Sequence, residues 1–369
     1  MNILYIYADN QTEWNCSEWR CAVPNRAIND LGGKHKSDML FVRQFAMMDE
    51  EARTKTHDAD LVIVQRLLIG EILPRIMELQ ANGKVVIGEL DDGYHFMPKK
   101  VRAYKFWHEG KFTRVENNEE VESKMRHTPV EQLEWAMKIV HGMTTPSPQI
   151  AKDWKRFTDN TWVVPNYIDA SHYLPYKKKR WEKTETFVIG WGGSHSHKVS
   201  WSDSNIIEAL RRICEKYYNV RIYICGHNFE IVKMMEGFKK QVIDYKWVPH
   251  NEWPRLLSKF DMGLIPLVGR YDARRSWVKS LEYTLMGIPW VGTKSPPTAE
   301  LQDYGYRVSN NVDSWEKSIT NVIENYKDAK LRVDAGFDTA SAADINLHTE
   351  ELLDIYDEIY THIKGQLPK

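Results

Sequence analysis

Short apolar runs alternate along the chain with stretches of helical periodicity. Eight runs are rich in residues that favour β-strands, namely residues 3–7, 61–64, 85–88, 161–164, 187–191, 220–225, 262–267 and 289–292. Strands that are apolar throughout are typical of parallel sheets covered by helices on both faces. Between two runs, Ile206, Leu210 and Ile213 lie at helical spacing, which predicts a crossover helix. We therefore expect an α/β fold with doubly wound parallel sheets.

The length and a change in composition predict two domains. At about 150 residues per domain, 369 residues correspond to two. The strand pattern begins again after residues 176–185, a polar, basic stretch with the composition of an exposed linker. A helix predicted to begin near His348 carries an apolar stripe that must pack on another element. We expect a first domain over residues 1–170, a second over 171–347 and a terminal helix over 348–369.

The charge and the cysteine content exclude several classes of protein. The net charge of −1 gives no reason to expect nucleic acid or an anionic membrane as a partner. The excess of positive charge lies between residues 171 and 347, which fits either an anionic ligand such as a nucleotide diphosphate or an ordinary basic surface. No run of about 20 apolar residues is present, so no integral membrane segment is expected. Four cysteines without zinc-type spacing favour a cytoplasmic setting, and the apolar start of the chain is interpreted as a strand rather than a signal peptide.

A glycine-rich turn follows the strand predicted at residues 187–191. The sequence FVIGWGGS ends in Gly192, Gly193 and Ser194. Glycines let backbone N–H groups approach a phosphate closely, and a tight structural connection is the alternative. The turn is not a dinucleotide-binding fingerprint, because His195 stands where that motif needs a glycine.

A second set of polar residues lies about 75 residues further on. Ser276 is a natural N-cap for a predicted helix that Gly287 and the following Pro289 end. Arg275 and Lys279 are one turn apart and Glu282 follows three residues later, so the three are expected along one side of the helix. The alternatives are a solvated surface with an ion pair and a site that binds a ligand.

Together these segments resemble the C-terminal half of GT-B fold glycosyltransferases, most closely the retaining enzymes of glycosyltransferase family 4 and their bacterial and phage relatives. Five segments carry the resemblance in order, namely residues 145–147, 164–169, 189–194, 260–267 and 275–289. The N-terminal half matches only in strand order and length. The resemblance implies two Rossmann-like domains that face a cleft, with the last helix crossing back to the N-terminal domain.

The resemblance also implies roles for the matching residues. Glu282 is expected to hydrogen-bond the ribose hydroxyls of a nucleotide sugar. The diphosphate is expected to bind Arg275, Ser276, Lys279 and, by a looser match, Lys198 or His197, together with the amides of Gly192, Gly193 and Ser194. No bound cofactor and no metal ion is implied, because a UDP- or GDP-sugar enters as co-substrate and fixed cations stabilise its leaving group.

The chain departs from the family pattern in two places. Arg274 stands where the paired-glutamate motif E-x7-E has its first glutamate. The N-terminal glycine-rich loop is replaced by a stretch that contains Trp14 and Trp19. These two rings are expected either to stack on an acceptor sugar or base, or to pack in the core. Retention of the sugar's anomeric configuration therefore stays open at the level of sequence.

Acidic residues follow the strand predicted at residues 85–88. The carboxyl ends of parallel strands are where α/β proteins bind ligands, which makes Asp91 and Asp92 the candidate catalytic residues that orient the acceptor hydroxyl or take its proton. Arg66 and His95 are expected on the acceptor side of the same edge. Loop capping and a metal site are the alternatives for the two aspartates.

The sequence thus predicts a cytoplasmic glycosyltransferase that moves a sugar from a nucleotide diphosphate sugar to an acceptor hydroxyl. Transfer is expected to be retaining and metal-independent, with a cell-envelope glycan as acceptor. The alternative acceptor is a hydroxymethylated pyrimidine in phage DNA, because residues 99–107 interleave basic and aromatic side chains. From other classes, a sugar-nucleotide epimerase and a non-enzymatic nucleotide-sugar-binding protein are the alternatives. The base, the sugar and the oligomeric state are left open.

Overall fold

The computed structural model describes residues 1–10, 15–116, 119–179, 185–226, 229–238 and 240–366. Its strands are β1 Asn2–Tyr7, β2 Lys36–Phe41, β3 Leu61–Gln65, β4 Val85–Glu89, β5 Lys111–Glu116, β6 Glu119–Lys124, β7 Gly142–Thr145, β8 Thr161–Val163, β9 Phe187–Gly192, β10 Val220–Cys225, β11 Val242–Tyr245, β12 Met262–Ile265, β13 Trp290–Thr293 and β14 Tyr306–Val308.

The α-helices are α1 Val23–Leu31, α2 Val42–Met47, α3 Glu50–Asp58, α4 Ile72–Ala81, α5 Tyr104–Glu109, α6 Pro129–Ile139, α7 Pro148–Trp154, α8 Ala170–Tyr173, α9 Lys198–Asp203, α10 Ile206–Lys216, α11 Phe229–Met234, α12 Trp253–Leu257, α13 Gly269–Asp272, α14 Val278–Leu285, α15 Val312–Glu324, α16 Tyr326–Asp334, α17 Phe337–Ser341 and α18 Ile345–Gln366. A π-helical turn at Glu18–Ala22 precedes α1.

The chain divides into two compact units. Unit 1 consists of Met1–His95, Lys105–Ile168 and Asp344–Lys369, and unit 2 consists of Phe96–Tyr104 and Asp169–Ala343. The first domain expected from the sequence contained residues 96–104, which instead belong to unit 2. Within unit 2, Arg270 and Arg274 stack on the ring of Phe96, the first residue of this segment.

Unit 1 is built on a six-stranded parallel sheet in the order β2-β1-β3-β4-β7-β8. Its three central strands β1, β3 and β4 are almost entirely buried, as their continuous apolar sequences predict. Because all strands run in one direction, the loops after β1, β3 and β4 lie side by side at one edge. The antiparallel pair β5 and β6 forms a separate two-stranded sheet.

The C-terminal helix α18 completes the core of unit 1. Leu352, Leu353, Ile359 and Ile363 are buried in a cluster with apolar residues of β1, β3 and α1. The hydroxyl of Tyr5 donates to that of Tyr356 at 2.9 Å within this core. The apolar stripe therefore packs on the N-terminal sheet, and the expected return of the last helix is confirmed.

Unit 2 repeats the architecture, with a six-stranded parallel sheet in the order β11-β10-β9-β12-β13-β14. The crossover helix α10 joins β9 to β10 and buries Ile206, Leu210 and Ile213, as the periodicity predicts. In both units the strand order reverses direction at a central strand, which is the position where α/β sheets bind ligands. The α/β fold class with two doubly wound sheets is confirmed.

Four strands of the two sheets are not among the eight apolar runs from which strands were predicted. They are β2, β7, β11 and β14, which are short or carry polar residues because most lie at or near a sheet edge. Among the described residues, no helix combines the length and the apolar character needed to cross a membrane.

Candidate functional site

The glycine turn at the end of β9 is shaped by two indole rings. A Cβ added to Gly192 would lie 2.3 Å from Cη2 of Trp253, and one added to Gly193 would lie 2.6 Å from Cζ2 of Trp191. Both distances are far below van der Waals contact, so neither position accepts a side chain unless an indole moves. Packing alone therefore requires these glycines, independently of any ligand.

The amide of Gly193 donates to the carbonyl of Cys225 at 3.1 Å and so extends the ladder between β9 and β10. The amide is thus bonded within the sheet, and its role as a phosphate donor stays a prediction. After Ser194 the chain enters a single 3-10 turn, in which the hydroxyls of Ser194 and Ser196 lie 2.9 Å apart.

Two cations converge on this turn from the segment around α14. Nζ of Lys279 donates to the carbonyl of Gly192 at 2.7 Å. Nη2 of Arg275 donates to Oγ of Ser196 at 3.0 Å, while its Nε donates to Oδ1 of Asp272 at 2.8 Å. The tertiary structure thus brings together two segments that are about 80 residues apart in sequence, as the resemblance implies.

The start of α14 differs from the expectation. The helix begins at Val278, and its N-cap is Trp277, whose side chain makes no capping bond. Ser276 is therefore not the N-cap, and Arg275 and Ser276 lie in the loop between α13 and α14. Only Lys279 and Glu282 share a helical face, and Arg275 reaches the turn from the loop.

Glu282 is held by two donors that the sequence did not single out. Nε1 of Trp253 and the hydroxyl of Tyr173 each donate to its Oε1 at 2.8 Å. Burial raises the pKa of the Glu282 carboxyl, while Lys279 and the two hydrogen bonds act in the opposite direction. Both donors bind Oε1, which leaves Oε2 as the atom available for a further donor.

His197 and Lys198, at the end of the same turn, have different environments. His197 is buried, with its ring edge-on to Trp191 at a centroid distance of 5.4 Å. Nζ of Lys198 is partly exposed and donates to Oε1 of Glu230 at 2.6 Å. Lys198, which the resemblance assigns to the diphosphate, forms an ion pair here with Glu230 of helix α11.

Arg274, which replaces the first glutamate of the family motif, stacks on an aromatic ring. The guanidinium carbons of Arg270 and Arg274 lie 4.0 and 3.9 Å from the ring centroid of Phe96. A cation over a ring face is attracted by the negative quadrupole of the π system. This arrangement ties Phe96–Tyr104 to unit 2, and nothing in the sequence pattern pointed to it.

In unit 1, polar side chains gather where β1, β3 and β4 end. Asp91 is buried, its Oδ1 accepts from the hydroxyl of Tyr94 at 2.8 Å, and its Oδ2 has no hydrogen-bond partner among the described residues. After β1, Asp9 forms an ion pair with Arg66 and accepts the amide of Ser17 at 2.7 Å. The structure thus brings Arg66 and Asp91 to one edge, as expected, and adds Asp9 and Tyr94. The rule that ligands bind at strand ends could have found Asp9.

Glu89, at the end of β4, has a structural role. It forms a bidentate ion pair with Arg20, with both N···O distances 2.9 Å and both side chains buried. Nη1 of Arg20 also donates to Oδ1 of Asn166 at 2.8 Å. Burial raises the pKa of the Glu89 carboxyl, against the effect of the neighbouring guanidinium. The pair joins the π-helical turn, β4 and the loop after β8.

The remaining candidates of the acceptor side are dispersed. Nε2 of His95 lies 3.0 Å from Oε1 of Glu134, and its ring packs on Trp154, so it lines the α6–α7 side of unit 1. Trp19 is half-buried in the π-helical turn, and Asp92 is half-buried next to Asp91. Trp14 lies outside the described residues. Among the described residues, no three His, Cys, Asp or Glu side chains are grouped as metal ligands.

No protein-family model matches this sequence, and no curated protein matches it either. Solved structures do match it over nearly the whole length. The chain is similar to HepE of Anabaena, solved with UDP and glucose, at 12% identity and a TM-score of 0.65, covering 97% of this chain and 100% of that one. It is similar to sucrose-phosphate synthase of Thermosynechococcus elongatus at 10% identity and a TM-score of 0.67, covering 98% and 99%.

A weaker likeness links the chain to an enzyme of another activity. The UDP-GlcNAc 2-epimerase of Neisseria meningitidis, solved with UDP-GlcNAc, is 11% identical with a TM-score of 0.54, covering 97% of this chain and 100% of that one. At such identities a structural likeness establishes the fold. The chain has the GT-B fold, with one Rossmann-like sheet in each unit.

Proposed function

We propose that this chain is a glycosyltransferase that binds a nucleotide diphosphate sugar on unit 2. The observation that carries the proposal is the convergence of Arg275 and Lys279 on the turn after β9, with Glu282 on the same helix as Lys279. A departing nucleoside diphosphate develops negative charge on its β-phosphate, and cations fixed in advance stabilise that charge. Two such cations supply the charge that a divalent ion would otherwise provide, so the proposal includes transfer without a metal.

The environment of Glu282 supports this residue as the one that binds the ribose of the nucleotide sugar. Trp253 and Tyr173 fix the carboxylate through Oε1, and Oε2 would accept the ribose hydroxyls. A carboxylate that is already oriented accepts a hydrogen bond from a hydroxyl at little entropic cost. Transfer with retention is part of the proposal through the resemblance to retaining enzymes, and the anomeric configuration of the product decides it.

On the acceptor side, Asp91 is the residue best placed for chemistry. Its Oδ1 is fixed by Tyr94 and its buried Oδ2 lacks a partner among the described residues, so Oδ2 would accept the proton of an incoming hydroxyl or orient it. We expect Asp91→Asn to lower transfer at least 100-fold while donor affinity changes less than twofold. Asp159→Asn, an exposed aspartate of the same unit, is the matched control.

The contacts of residues 99–107 favour a glycan hydroxyl over DNA as the acceptor. Trp107 is buried and stacked on Tyr94 at a centroid distance of 4.1 Å, so its face is covered rather than open to a base. Nζ of Lys100 pairs with Asp203 at 3.1 Å. Binding to DNA would also fall steeply with salt, so a salt-independent affinity for a neutral oligosaccharide supports the glycan.

The first experiment is calorimetric titration with UDP-, GDP- and ADP-sugars, each with EDTA and with added Mg²⁺. We expect one nucleotide sugar to bind equally well in both, and Glu282→Gln to weaken it about tenfold or more. Glu208→Gln, an exposed glutamate of the same unit, should leave the affinity unchanged. Absence of binding, or binding that Glu282→Gln does not weaken, overturns the proposal.

The epimerase likeness gives a second candidate with the same donor site. An epimerase consumes the nucleotide sugar without an acceptor and returns an isomeric nucleotide sugar. A glycosyltransferase instead releases the nucleoside diphosphate at a rate that depends on the acceptor. Chromatography of the nucleotide products from one incubation separates the two activities.

A further inference from the structure

A buried carboxylate holds the guanidinium of Arg275 beside the turn after β9. Asp272 is the last residue of the short helix α13 and is only 3% exposed. Its Oδ1 accepts Nε of Arg275 at 2.8 Å, and its Oδ2 accepts Oγ of Ser200 at 2.6 Å and the amide of Val268 at 2.8 Å. Three donors therefore fix one carboxylate, and both of its oxygens are engaged.

These contacts determine the direction in which the guanidinium faces. With Nε bonded to Asp272, Nη2 of Arg275 donates to Oγ of Ser196 at 3.0 Å. The ring of Tyr271 lies against the guanidinium, with 4.8 Å between the guanidinium carbon and the ring centroid. A guanidinium is planar and its N–H groups have a fixed geometry, so a hydrogen bond at Nε sets the direction of the other donors. Asp272 thus orients Arg275 toward the turn.

The charge of Asp272 by itself opposes the binding of an anion. A carboxylate and a diphosphate repel each other, and the ion pair with Asp272 offsets part of the positive charge of Arg275. Asp272 can therefore improve donor binding only through the orientation that it gives to the guanidinium. Its charge and its hydrogen bond have effects of opposite sign on donor affinity, so an experiment can separate them.

We propose that Asp272 is a positioning residue of the donor site, which fixes Arg275 in the orientation that binds the diphosphate. This inference rests on the proposed donor site. Ser200 of helix α9 holds Asp272 in turn, so α9, α13 and the loop before α14 share one hydrogen-bond network beside the turn. Because the guanidinium is ordered before the nucleotide sugar arrives, less conformational entropy is lost on binding.

A double-mutant cycle measured by calorimetry tests the proposal. The probes are UDP-glucose, GDP-mannose and ADP-glucose, and the one that binds the wild type is titrated into every variant. We expect Arg275→Gln to weaken binding about tenfold or more, and Asp272→Asn to weaken it about tenfold. In the Arg275→Gln background, Asp272→Asn should not weaken binding further, because the guanidinium that Asp272 orients is gone.

Asp261→Asn is the control that is matched for burial. Asp261 is another buried aspartate of unit 2 that pairs with a cation, since its Oδ1 accepts Nζ of Lys178 at 2.5 Å. It directly precedes β12, which runs parallel to β9, so it lies at the opposite edge of the sheet from the turn. Thermal unfolding should show a loss of stability in both aspartate variants, whereas only Asp272→Asn should change donor affinity.

Ser200→Ala replaces Asp272→Asn if the latter does not fold. The carboxylate then keeps its charge and loses one of its three donors. We expect donor binding about threefold weaker than in the wild type, and no further weakening in the Arg275→Gln background. Equal affinity in Ser200→Ala and the wild type would then contradict the proposal.

The results separate this inference from the donor site on which it rests. Unchanged or higher affinity in Asp272→Asn means that only its charge acts on the donor, and equal weakening with and without Arg275 means that Asp272 acts through the fold. Either result overturns the inference, and the donor site stands because Arg275→Gln still weakens binding. Absence of binding by any nucleotide sugar, or full affinity in Arg275→Gln, overturns both.

Discussion

Nε1 of Trp253 donates a hydrogen bond of 2.8 Å to Oε1 of Glu282, while the far side of the same indole covers the backbone of Gly192. One ring thus sets both the position of the candidate ribose carboxylate and the shape of the glycine turn. The first role needs the indole N–H, and the second needs the six-membered ring at the opposite end of the indole.

Trp253→Phe should weaken donor binding by about tenfold, or about 1.4 kcal/mol, because Glu282 loses one of two charge-assisted hydrogen bonds. Tyr173 still holds the carboxylate, so the loss should be smaller than for Glu282→Gln. Calorimetry with the nucleotide sugar that binds the wild type measures the change. Trp162→Phe removes a similar indole–glutamate contact on the surface of unit 1 and should have no effect. Equal donor affinity in Trp253→Phe and the wild type would contradict the assigned role.

Gly192→Ala should destabilise the protein, because its Cβ would lie 2.3 Å from the ring of Trp253. Forcing a side chain into a packed core costs about 1–3 kcal/mol. Chemical denaturation gives the free energy of unfolding. Gly237→Ala is the matched control, since a Cβ there meets nothing within 4 Å and the residue does not have a positive φ. Similar stabilities of the two variants would show that the indole moves aside easily.

Arg274 and Phe96 should be coupled energetically. In a double-mutant cycle of Arg274→Gln and Phe96→Leu, we expect a coupling of about 0.5–2 kcal/mol in the free energy of unfolding, as for a partly desolvated cation–π pair. The single variants should also expose the segment around Phe96 to limited proteolysis. A control cycle of Phe96→Leu with Arg221→Gln, whose side chain lies elsewhere in unit 2, should give no coupling. Additivity in the first cycle would mean that the stacking contributes nothing.

The stability of the ligand-free protein should depend on pH through His197. The pKa of His197 is lowered in the folded state, so the unfolded chain binds more protons between that value and 6.5. Stability therefore rises with pH across this interval and is lost as the pH falls through it, by at most about 1.4 kcal/mol per unit. The difference in unfolding free energy between wild type and His197→Asn, measured from pH 7 to pH 5, isolates this contribution. The exposed His57→Asn should show no such trend.

The apolar runs predicted most of the central strands, because a strand that is buried on both faces is apolar at nearly every position. Edge strands such as β2 and β14 lack that signature, since half of their surface faces solvent. The apolar stripe of α18 was equally clear from the sequence, but the local pattern did not show which element the stripe packs on. The resemblance implied that α18 packs on the N-terminal domain, and the contact between Tyr5 and Tyr356 in one core confirms it.

By itself, the sequence determined the α/β class and the two sheets, and it singled out the polar residues that we propose for the donor side, because periodicity and local motifs are properties of neighbouring residues. The tertiary structure decided how those residues are used. It bound the Gly193 amide into the sheet, placed Arg275 in a loop, and gave Glu282 its donors Trp253 and Tyr173. It also buried His197 edge-on against Trp191. These outcomes depend on contacts between distant parts of the chain, which no local pattern records.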